Sequence, residues 1–200
     1  MKIVEYPHPS LRHAAKPLTA IDNDIRRIAA EMLALMYEAK GLGLAAPQVA
    51  LPYQLLVMNF VGAAEQKDQE CVAINPVLID KHGGMIEAEE GCLSFPGLYQ
   101  KVRRAKTAVV RAYNLEGQLF EMTAHELPAR LWQHEIDHLH GTLYIDKMGP
   151  LGKLAARGTL KEFEAKFRRA QERGEFPADT EIEKMLTELE PKPLPQPEKV

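Results

Sequence analysis

The middle of the chain contains five short segments rich in β-branched or aromatic residues, with no helical pattern between them. These segments cover residues 54–60, 71–79, 84–90, 107–113 and 118–124. A run of strands without intervening helices favours antiparallel pairing, because parallel neighbours need long crossover connections that are usually helical. Residues 114–117 have the composition of a hairpin turn. The sequence therefore predicts an antiparallel β structure at the centre of the fold.

Helical patterns flank this region on both sides. Residues 22–39 place apolar side chains on one stripe at helical spacing, with Asp22 or Asn23 as the N-cap and Gly41 beyond the end. Further helices are predicted over residues 126–140, 150–173 and 179–189. The predicted fold class is α+β, with antiparallel β-sheets packed around a central helix, an N-terminal helix and a C-terminal helical extension.

Length and composition fit one domain with a sizeable core, since the chain has 200 residues of which 46% are hydrophobic. We assign residues 1–174 to this domain and residues 175–200 to an extension that ends in a proline-rich, flexible tail. The 25 basic and 28 acidic residues leave a net charge of −3, which argues against a DNA-coating surface. No apolar run is long enough to span a bilayer and no signal peptide is evident, so a cytoplasmic protein without membrane contact is expected.

Residues 134–138 form the motif His-Glu-x-x-His within the predicted helix 126–140. Two histidines four residues apart share a helix face and can bind one metal ion. Leu127 and Leu131 form an apolar stripe that continues into these histidines, so both rings are expected to point inward. Two core histidines bonded to backbone groups would be the structural alternative, but the intervening Glu135 favours a metal site.

A catalytic divalent site usually has three protein ligands and one open position, so a third ligand must lie elsewhere in the sequence. The metzincin pattern would place a histidine at position 144, which is Tyr144, and that interpretation fails. A thermolysin-like metallopeptidase would use a downstream glutamate, for which Glu162 and Glu164 are candidates. The remaining candidate is Cys92, whose thiolate binds soft metals strongly but which alone equally fits a core residue. The other cysteine, Cys71, lies in a strand-like run and is predicted to be in the core.

Three motifs resemble those of one enzyme family. Residues 41–48 (GLGLAAPQ), 90–97 (EGCLSFPG) and 133–141 (QHEIDHLHG) are similar, in order and with compatible separations, to the three motifs of peptide deformylases. Residues 6–12 (YPHPSLR) resemble the N-terminal signature of that family. The resemblance covers roughly residues 3–147.

The resemblance implies an activity and a metal site. Peptide deformylases remove the formyl group from the N-terminal formylmethionine of newly synthesised polypeptides and release formate. The family pattern implies that Cys92, His134 and His138 hold one divalent ion, whose bound hydroxide attacks the formyl carbon. Ferrous iron is favoured as the cofactor, with zinc, nickel or cobalt as alternatives.

The same resemblance implies further catalytic residues. Glu135 would act as general acid and base, and Gln48 with the backbone N–H of Leu93 would stabilise the oxyanion. Without the resemblance, Gln48 would be interpreted as an ordinary loop glutamine. Arg103 or Arg104 is predicted to pair with Glu90 and brace the loop that carries the cysteine.

The N-formylmethionyl nascent peptide is expected to bind along the glycine-rich stretch. Glycine lets a peptide backbone approach closely, so the nascent chain is expected to add as a strand against residues 42–44. The predicted substrate-binding residues are Leu42, Gly43, Gly91, Leu127 and Leu131. The three leucines would form the methionine pocket, although simple core leucines would give the same pattern.

The predicted helix over residues 150–173 interleaves basic and acidic side chains and is typical of a solvated amphipathic helix. The resemblance also implies that such a C-terminal helix docks on the ribosome, and its basic residues suit RNA phosphates. On the central helix, His140 is expected to be exposed and Asp137 is assigned no role.

Overall fold

The computed structural model describes residues 1–192, which form one five-stranded antiparallel sheet and four α-helices. The strands, paired in sequence order, are β1 (Gly43–Ala45), β2 (Leu55–Asn59), β3 (Glu70–Glu90), β4 (Gln100–Tyr113) and β5 (Leu119–His125). The helices are α1 (Asn23–Glu38), α2 (Glu126–Leu139), α3 (Pro150–Glu172) and α4 (Asp179–Leu189). The α+β class is confirmed, with one sheet rather than several. Most of the predicted proline-rich tail, residues 193–200, lies outside the described residues.

The long strand β3 replaces the two separate segments that the sequence predicted. Its pairing with β4 is interrupted by register shifts, the last of them between His82 and Met85. Gly83 and Gly84 lie in this interruption with φ of +78° and +80°, a conformation that glycine adopts without steric cost. The glycine pair therefore forms a bulge that bends a continuous strand, whereas the sequence pattern left residues 80–83 outside both predicted strands.

Strand β1 was not predicted as a strand, because its three residues lie in the glycine-rich stretch. Gly43 pairs with Met58 and Ala45 with Leu56, so β1 extends the sheet at the edge opposite β5. One side of β1 is therefore left without a strand partner among residues 1–192.

Helix α2 packs against the sheet through a stripe of apolar side chains at helical spacing. This stripe consists of Ala129, Trp132, Ile136 and Leu139. Leu127, predicted to anchor the helix, is wrongly placed by the sequence pattern, since its side chain is 52% exposed. The buried stripe begins at Ala129, and Leu127, two residues earlier, lies about 200° away round the helix, so it projects off that stripe.

The helices α3 and α4 pack against the N-terminal segment, residues 4–13. The Tyr6 ring stacks on Phe95 with centroids 5.1 Å apart, and Phe163 of α3 covers Phe95. A contact of 2.9 Å between His13 Nε2 and Glu190 Oε1 connects the end of α4 to the same segment. The predicted amphipathic character of the helix over residues 150–173, now α3, is confirmed.

Within residues 1–192, none of the helices combines the length and apolar composition needed to cross a membrane.

His8 lies at the centre of this C-terminal packing. Its ring is buried between Phe167 of α3 and Phe176, at centroid distances of 5.9 and 5.7 Å. Burial lowers the pKa of His8 from 6.5 to about 4, although Asp179 favours its protonated form. At pH values between about 4 and 6.5, the His8 ring is therefore neutral in the folded protein but protonated in the unfolded chain.

We predict that His8 makes folding stability fall between pH 6.5 and pH 4. Because the folded pKa is lower than the unfolded one, the stabilisation is complete above pH 6.5 and is lost as the pH falls, by about 1–3 kcal/mol. His8→Asn keeps an acceptor for the Ser10 N–H but cannot titrate. Urea unfolding of both proteins across this range should show a shallower pH dependence for the variant. Parallel pH profiles would show that His8 does not contribute.

Candidate metal centre

The two histidines of the motif lie one turn apart on α2 and are both buried. Their ring centroids are 5.0 Å apart, in an edge-to-face arrangement. Residues at positions i and i+4 of a helix project from the same face, so the motif spacing alone brings the rings together. Tertiary packing then turns that face toward the loop after β3.

Cys92 meets these histidines two residues beyond the end of β3. Its Sγ lies 3.3 Å from Nε2 of His138, and the ligand atoms of Cys92, His134 and His138 all lie within 4.8 Å of one another. In the described part of the chain, this is the one group of three or more such side chains close enough to share an ion. Folding thus joins residues that are more than 40 positions apart in sequence.

The donor chemistry of the three side chains fits a divalent transition-metal ion. His134 Nδ1 lies 3.2 Å from Glu90 Oε2, and donation to this carboxylate leaves Nε2 as the ligand atom. Burial alone would lower the pKa of His134, but Cys92 and Glu90 outweigh it and raise it to about 10. Burial, together with the nearby positive charges of His134 and Arg104, holds the pKa of His138 well below its usual range. One thiolate and two imidazoles suit zinc or ferrous iron and leave a coordination position open.

The glutamates of the thermolysin-like alternative lie elsewhere. Glu162 and Glu164 are exposed on α3, and Glu164 accepts a hydrogen bond of 3.0 Å from the Tyr6 hydroxyl. Neither belongs to the cluster of metal-ligating side chains. The geometry therefore favours Cys92 as the third ligand.

A buried charge network surrounds the carboxylate of Glu90. Arg104 donates to both of its oxygens through Nε and Nη2, each at 2.9 Å, and also pairs with Asp137 of α2. Arg130 of α2 donates to Glu90 as well. Burial would raise the pKa of Glu90, but the hydrogen bonds from Arg104 and His134 hold it well below its usual range.

The sequence predicted part of this network. Of the two proposed partners of Glu90, Arg104 is the one found, and the pair is buried rather than exposed. Asp137, assigned no role, is the second partner of Arg104. Arg130 was missed, although an arginine four residues before His134 on an inward-facing helix surface was a detectable signal. His140 is exposed as predicted, and Cys71 is partly buried against the main core.

Glu135 is buried beside the cluster in a position that strand β1 defines. Burial raises its pKa to about 7, and Oε2 has no hydrogen-bond partner among residues 1–192. A Cβ atom at Gly43 would lie 2.5 Å from Oε1, so a side chain at this position would displace the carboxylate. A buried carboxyl with a pKa near neutrality can both accept and donate a proton.

Gln48 approaches the cluster from the opposite side. Its Oε1 accepts from the Ala45 backbone N–H at 2.8 Å, which fixes the orientation of the amide. Its Nε2 then points toward Cys92 Sγ, at 3.4 Å, and Ser94 Oγ, at 3.3 Å. Leu93 directly follows the cysteine, and its side chain lies over Gly41.

A cavity of about 550 Å³ is lined by Gln48, Cys92, Leu93, His134 and Glu135. Its lining includes every predicted substrate-binding residue, namely Leu42, Gly43, Gly91, Leu127 and Leu131. Tyr99, which the sequence did not single out, also lines it, with its ring packed against Gly91 at a position where a Cβ would clash. The cavity therefore joins the metal-ligating cluster, Glu135 and an apolar wall in one site.

A family model described as polypeptide deformylase matches residues 1–154. The chain belongs to this family. A peptide deformylase of Rhodopirellula baltica is 38% identical over 190 residues, which cover 95% of this chain and 94% of the relative. A peptide deformylase of Acidobacterium capsulatum is 46% identical over 149 residues, covering 74% and 86% of the two chains.

Solved structures of peptide deformylases have the same fold. The enzyme of Plasmodium falciparum gives a TM-score of 0.81 at 36% identity, over 84% of this chain and 98% of that one. Peptide deformylase 1B of Arabidopsis thaliana, solved with an inhibitor, gives 0.82 at 37% identity, over 87% and 94%. The chain is therefore an enzyme, a deformylase of the hydrolase class, from a metal-dependent family.

Replacing Cys92 with alanine should remove the metal from the purified protein. With one of three ligands absent, the affinity for the ion should fall by more than the roughly 10–100-fold typical of supporting residues. The metal content after dialysis, measured by mass spectrometry, checks this. Cys71→Ala is the matched control and should retain the ion, since Cys71 packs in the core. Equal metal content in the two variants would exclude Cys92 as a ligand.

Proposed function

We propose that the chain removes the formyl group from N-formylmethionine at the start of nascent polypeptides, releasing formate. The observation that carries this proposal is the convergence of Cys92, His134 and His138 beside the buried Glu135, at an open cavity that Cys92, His134 and Glu135 line. Hydrolysis of a formamide needs a nucleophilic water, a proton carrier and donors for the carbonyl oxygen. A divalent ion held by the three side chains would supply Lewis acidity, which lowers the pKa of water and polarises a carbonyl. Ferrous iron is our first candidate, and zinc, nickel and cobalt fit the same ligands.

Glu135 is the proton carrier in this proposal. Its carboxylate takes a proton from the attacking water and later delivers it to the departing amine, so that formate and a free N-terminus result. A pKa raised to about 7 by burial suits both transfers near neutral pH. Gly43 supports this role, because its missing side chain leaves room for the carboxylate.

Gln48 and the Leu93 backbone N–H are the proposed donors to the carbonyl oxygen. Negative charge develops on this oxygen during attack, and donors that are already oriented stabilise it without reorganisation. The bond from Ala45 N–H to Gln48 Oε1 supplies that orientation, because it commits the amide oxygen and turns Nε2 toward the cysteine.

The remaining cavity residues are assigned to the peptide. Strand β1 is the edge of the sheet, so the nascent chain can pair with its unpartnered backbone groups near Gly91. Leu42, Leu127 and Leu131 provide an apolar wall that suits a flexible methionine side chain. Because such substrates are made by ribosomes, we place the enzyme in the compartment of translation, the cytoplasm in a bacterium.

Formate release from formyl-Met-Ala-Ser tests the activity. The metal-loaded protein should hydrolyse this peptide and leave acetyl-Met-Ala-Ser intact, as measured with a coupled formate dehydrogenase assay. Equal turnover of the two peptides, or cleavage within an unformylated peptide, would contradict the proposal and favour a general metallopeptidase.

Glu135→Gln tests the proton carrier. The variant should keep its metal and fold but lose about 10²–10⁴ in turnover, because a neutral amide cannot accept the proton. Glu162→Gln is the control and should keep both metal and turnover, whereas a thermolysin-like site using Glu162 would lose its metal. Full activity of Glu135→Gln would remove this residue from the mechanism.

We also propose that α3 contributes to ribosome docking. Among the basic residues that prompted this idea, Lys166, Arg168 and Arg173 form ion pairs with Glu5, Asp179 and Glu175. Lys161 and Arg169 are exposed on the same helix and form no ion pair within residues 1–192. These two side chains are therefore the best placed to contact RNA phosphates.

Reversing both charges, in Lys161→Glu with Arg169→Glu, should weaken cosedimentation with ribosomes while leaving formyl-peptide turnover unchanged. The loss should be greatest at low salt, since phosphate contacts weaken as salt rises. The pair Lys67→Glu with Lys81→Glu alters the net charge equally at exposed positions off this helix and should behave as wild type. Equal effects from both double variants would show that ribosome binding depends only on net charge, and would contradict docking through α3.

A further inference from the structure

Arg130 links the metal-ligand helix to both long strands. Its guanidinium donates to Glu90 Oε1, to the Val102 carbonyl at 3.0 Å and to the Ile86 carbonyl at 2.9 Å. These partners lie on β3 and β4, whereas Arg130 itself lies on α2, one turn before His134. One side chain therefore fixes the separation between the ligand helix and the strand that leads to Cys92.

The carboxylate that Arg130 contacts is the one that orients a metal ligand. Glu90 presents Oε1 to Arg130 and to Arg104 Nε, and Oε2 to Arg104 Nη2 and to His134 Nδ1. With four donors on two oxygens, the carboxylate plane is fully determined, and Oε2 faces the imidazole. Without Arg130, Arg104 would still bind both oxygens, but Oε1 would lose one of its two donors, so the carboxylate and the imidazole it contacts would be held less firmly.

The balance of charge around Glu90 also indicates that Arg130 is needed to hold this carboxylate. The buried carboxylate of Glu90 lies against two arginines, Arg104 and Arg130. Arg104 also pairs with the partly buried Asp137, which Lys147 Nζ approaches to 3.4 Å. Without Arg130, Glu90 would depend on Arg104 alone, which it shares with Asp137. An uncompensated buried charge is strongly unfavourable, so the network would rearrange or admit water.

We propose that Arg130 is a positioning residue, which holds the Glu90 carboxylate against His134 and thereby sets the imidazole in place for the metal ion. The inference rests on the metal site of the proposed function. Although Arg130 lines the cavity, its guanidinium is engaged by Glu90 and two backbone carbonyls. It acts through Glu90 and His134 rather than by touching the substrate. Supporting residues of this kind typically contribute about 10–100-fold to metal affinity or activity.

Cobalt binding to the full chain tests this inference without any substrate. Metal-free wild type, Arg130→Met and Arg130→Lys are titrated with Co²⁺ against a competing chelator, and the visible absorption of bound Co²⁺ reports the ligand geometry. Arg130→Met should bind Co²⁺ about 10–100-fold more weakly and show an altered spectrum. Arg130→Lys keeps the charge but cannot reach Glu90 and both carbonyls together, so its loss should be smaller. Arg103→Met, on the exposed side of β4, should match wild type.

Kinetics separate positioning from substrate contact. At saturating metal, Arg130→Met should lower kcat by about 10-fold or more and change KM less than 2-fold. A raised KM with unchanged kcat would show direct substrate binding and overturn the inference. Unchanged Co²⁺ affinity and spectrum in a less stable Arg130→Met would reduce Arg130 to a structural residue.

Two further outcomes have defined meanings. If Arg130→Met does not fold, as judged by circular dichroism, Arg130→Lys carries the test, and failure of both to fold would overturn the inference. A wild-type chain that binds Co²⁺ but does not release formate would refute the proposed function. The cobalt measurements on Arg130 would still decide the positioning role.

Discussion

The site depends on one buried carboxylate that must stay ionised. Glu90 lies at the end of β3, 6% exposed, where an isolated charge would be unstable. Arginines from β4 and α2 compensate it, and each also bonds to backbone or side-chain groups of a neighbouring element. The arginines that neutralise Glu90 therefore also hold α2 against the two long strands, β3 and β4. The candidate metal ligands, Cys92 after β3 and the two histidines of α2, lie on the elements that this network connects.

Much of the fold follows from periodicity, and what does not has local causes. Residues 126–140 predicted α2 nearly to its ends, because a helix with a clear apolar stripe is well specified by sequence. The continuity of β3 was not predictable, since Gly83 and Gly84 fit a turn as well as a bulge. The exposure of Leu127 depends on which face of the helix packs against the sheet, and the strand β1 depends on a partner distant in sequence.

The candidate site divides in the same way. Spacing along one helix was enough to group His134 with His138. The residues alone left Cys92 as one candidate beside Glu162 and Glu164, and only the resemblance to a family selected it, because a lone cysteine has no periodic partner. For Arg130, helix spacing indicates the face shared with His134, but neither signal identifies what its side chain contacts. Two of its partners are backbone carbonyls on β3 and β4. Every residue has a backbone carbonyl, so a sequence pattern does not show which of them a side chain will contact. Supporting interactions of this kind emerge only when the elements are placed in three dimensions.

The edge strand β1 lies beside both Glu135 and the proposed path of the peptide, and its residue Gly43 has no side chain. A Cβ at Gly43 would press on the Glu135 carboxylate, and the same bare backbone is the surface on which a peptide would pair. In the proposed mechanism, a side chain at position 43 would displace the proton carrier, on the same strand that is proposed to pair with the peptide. So short a strand would thus contribute directly to the proposed chemistry.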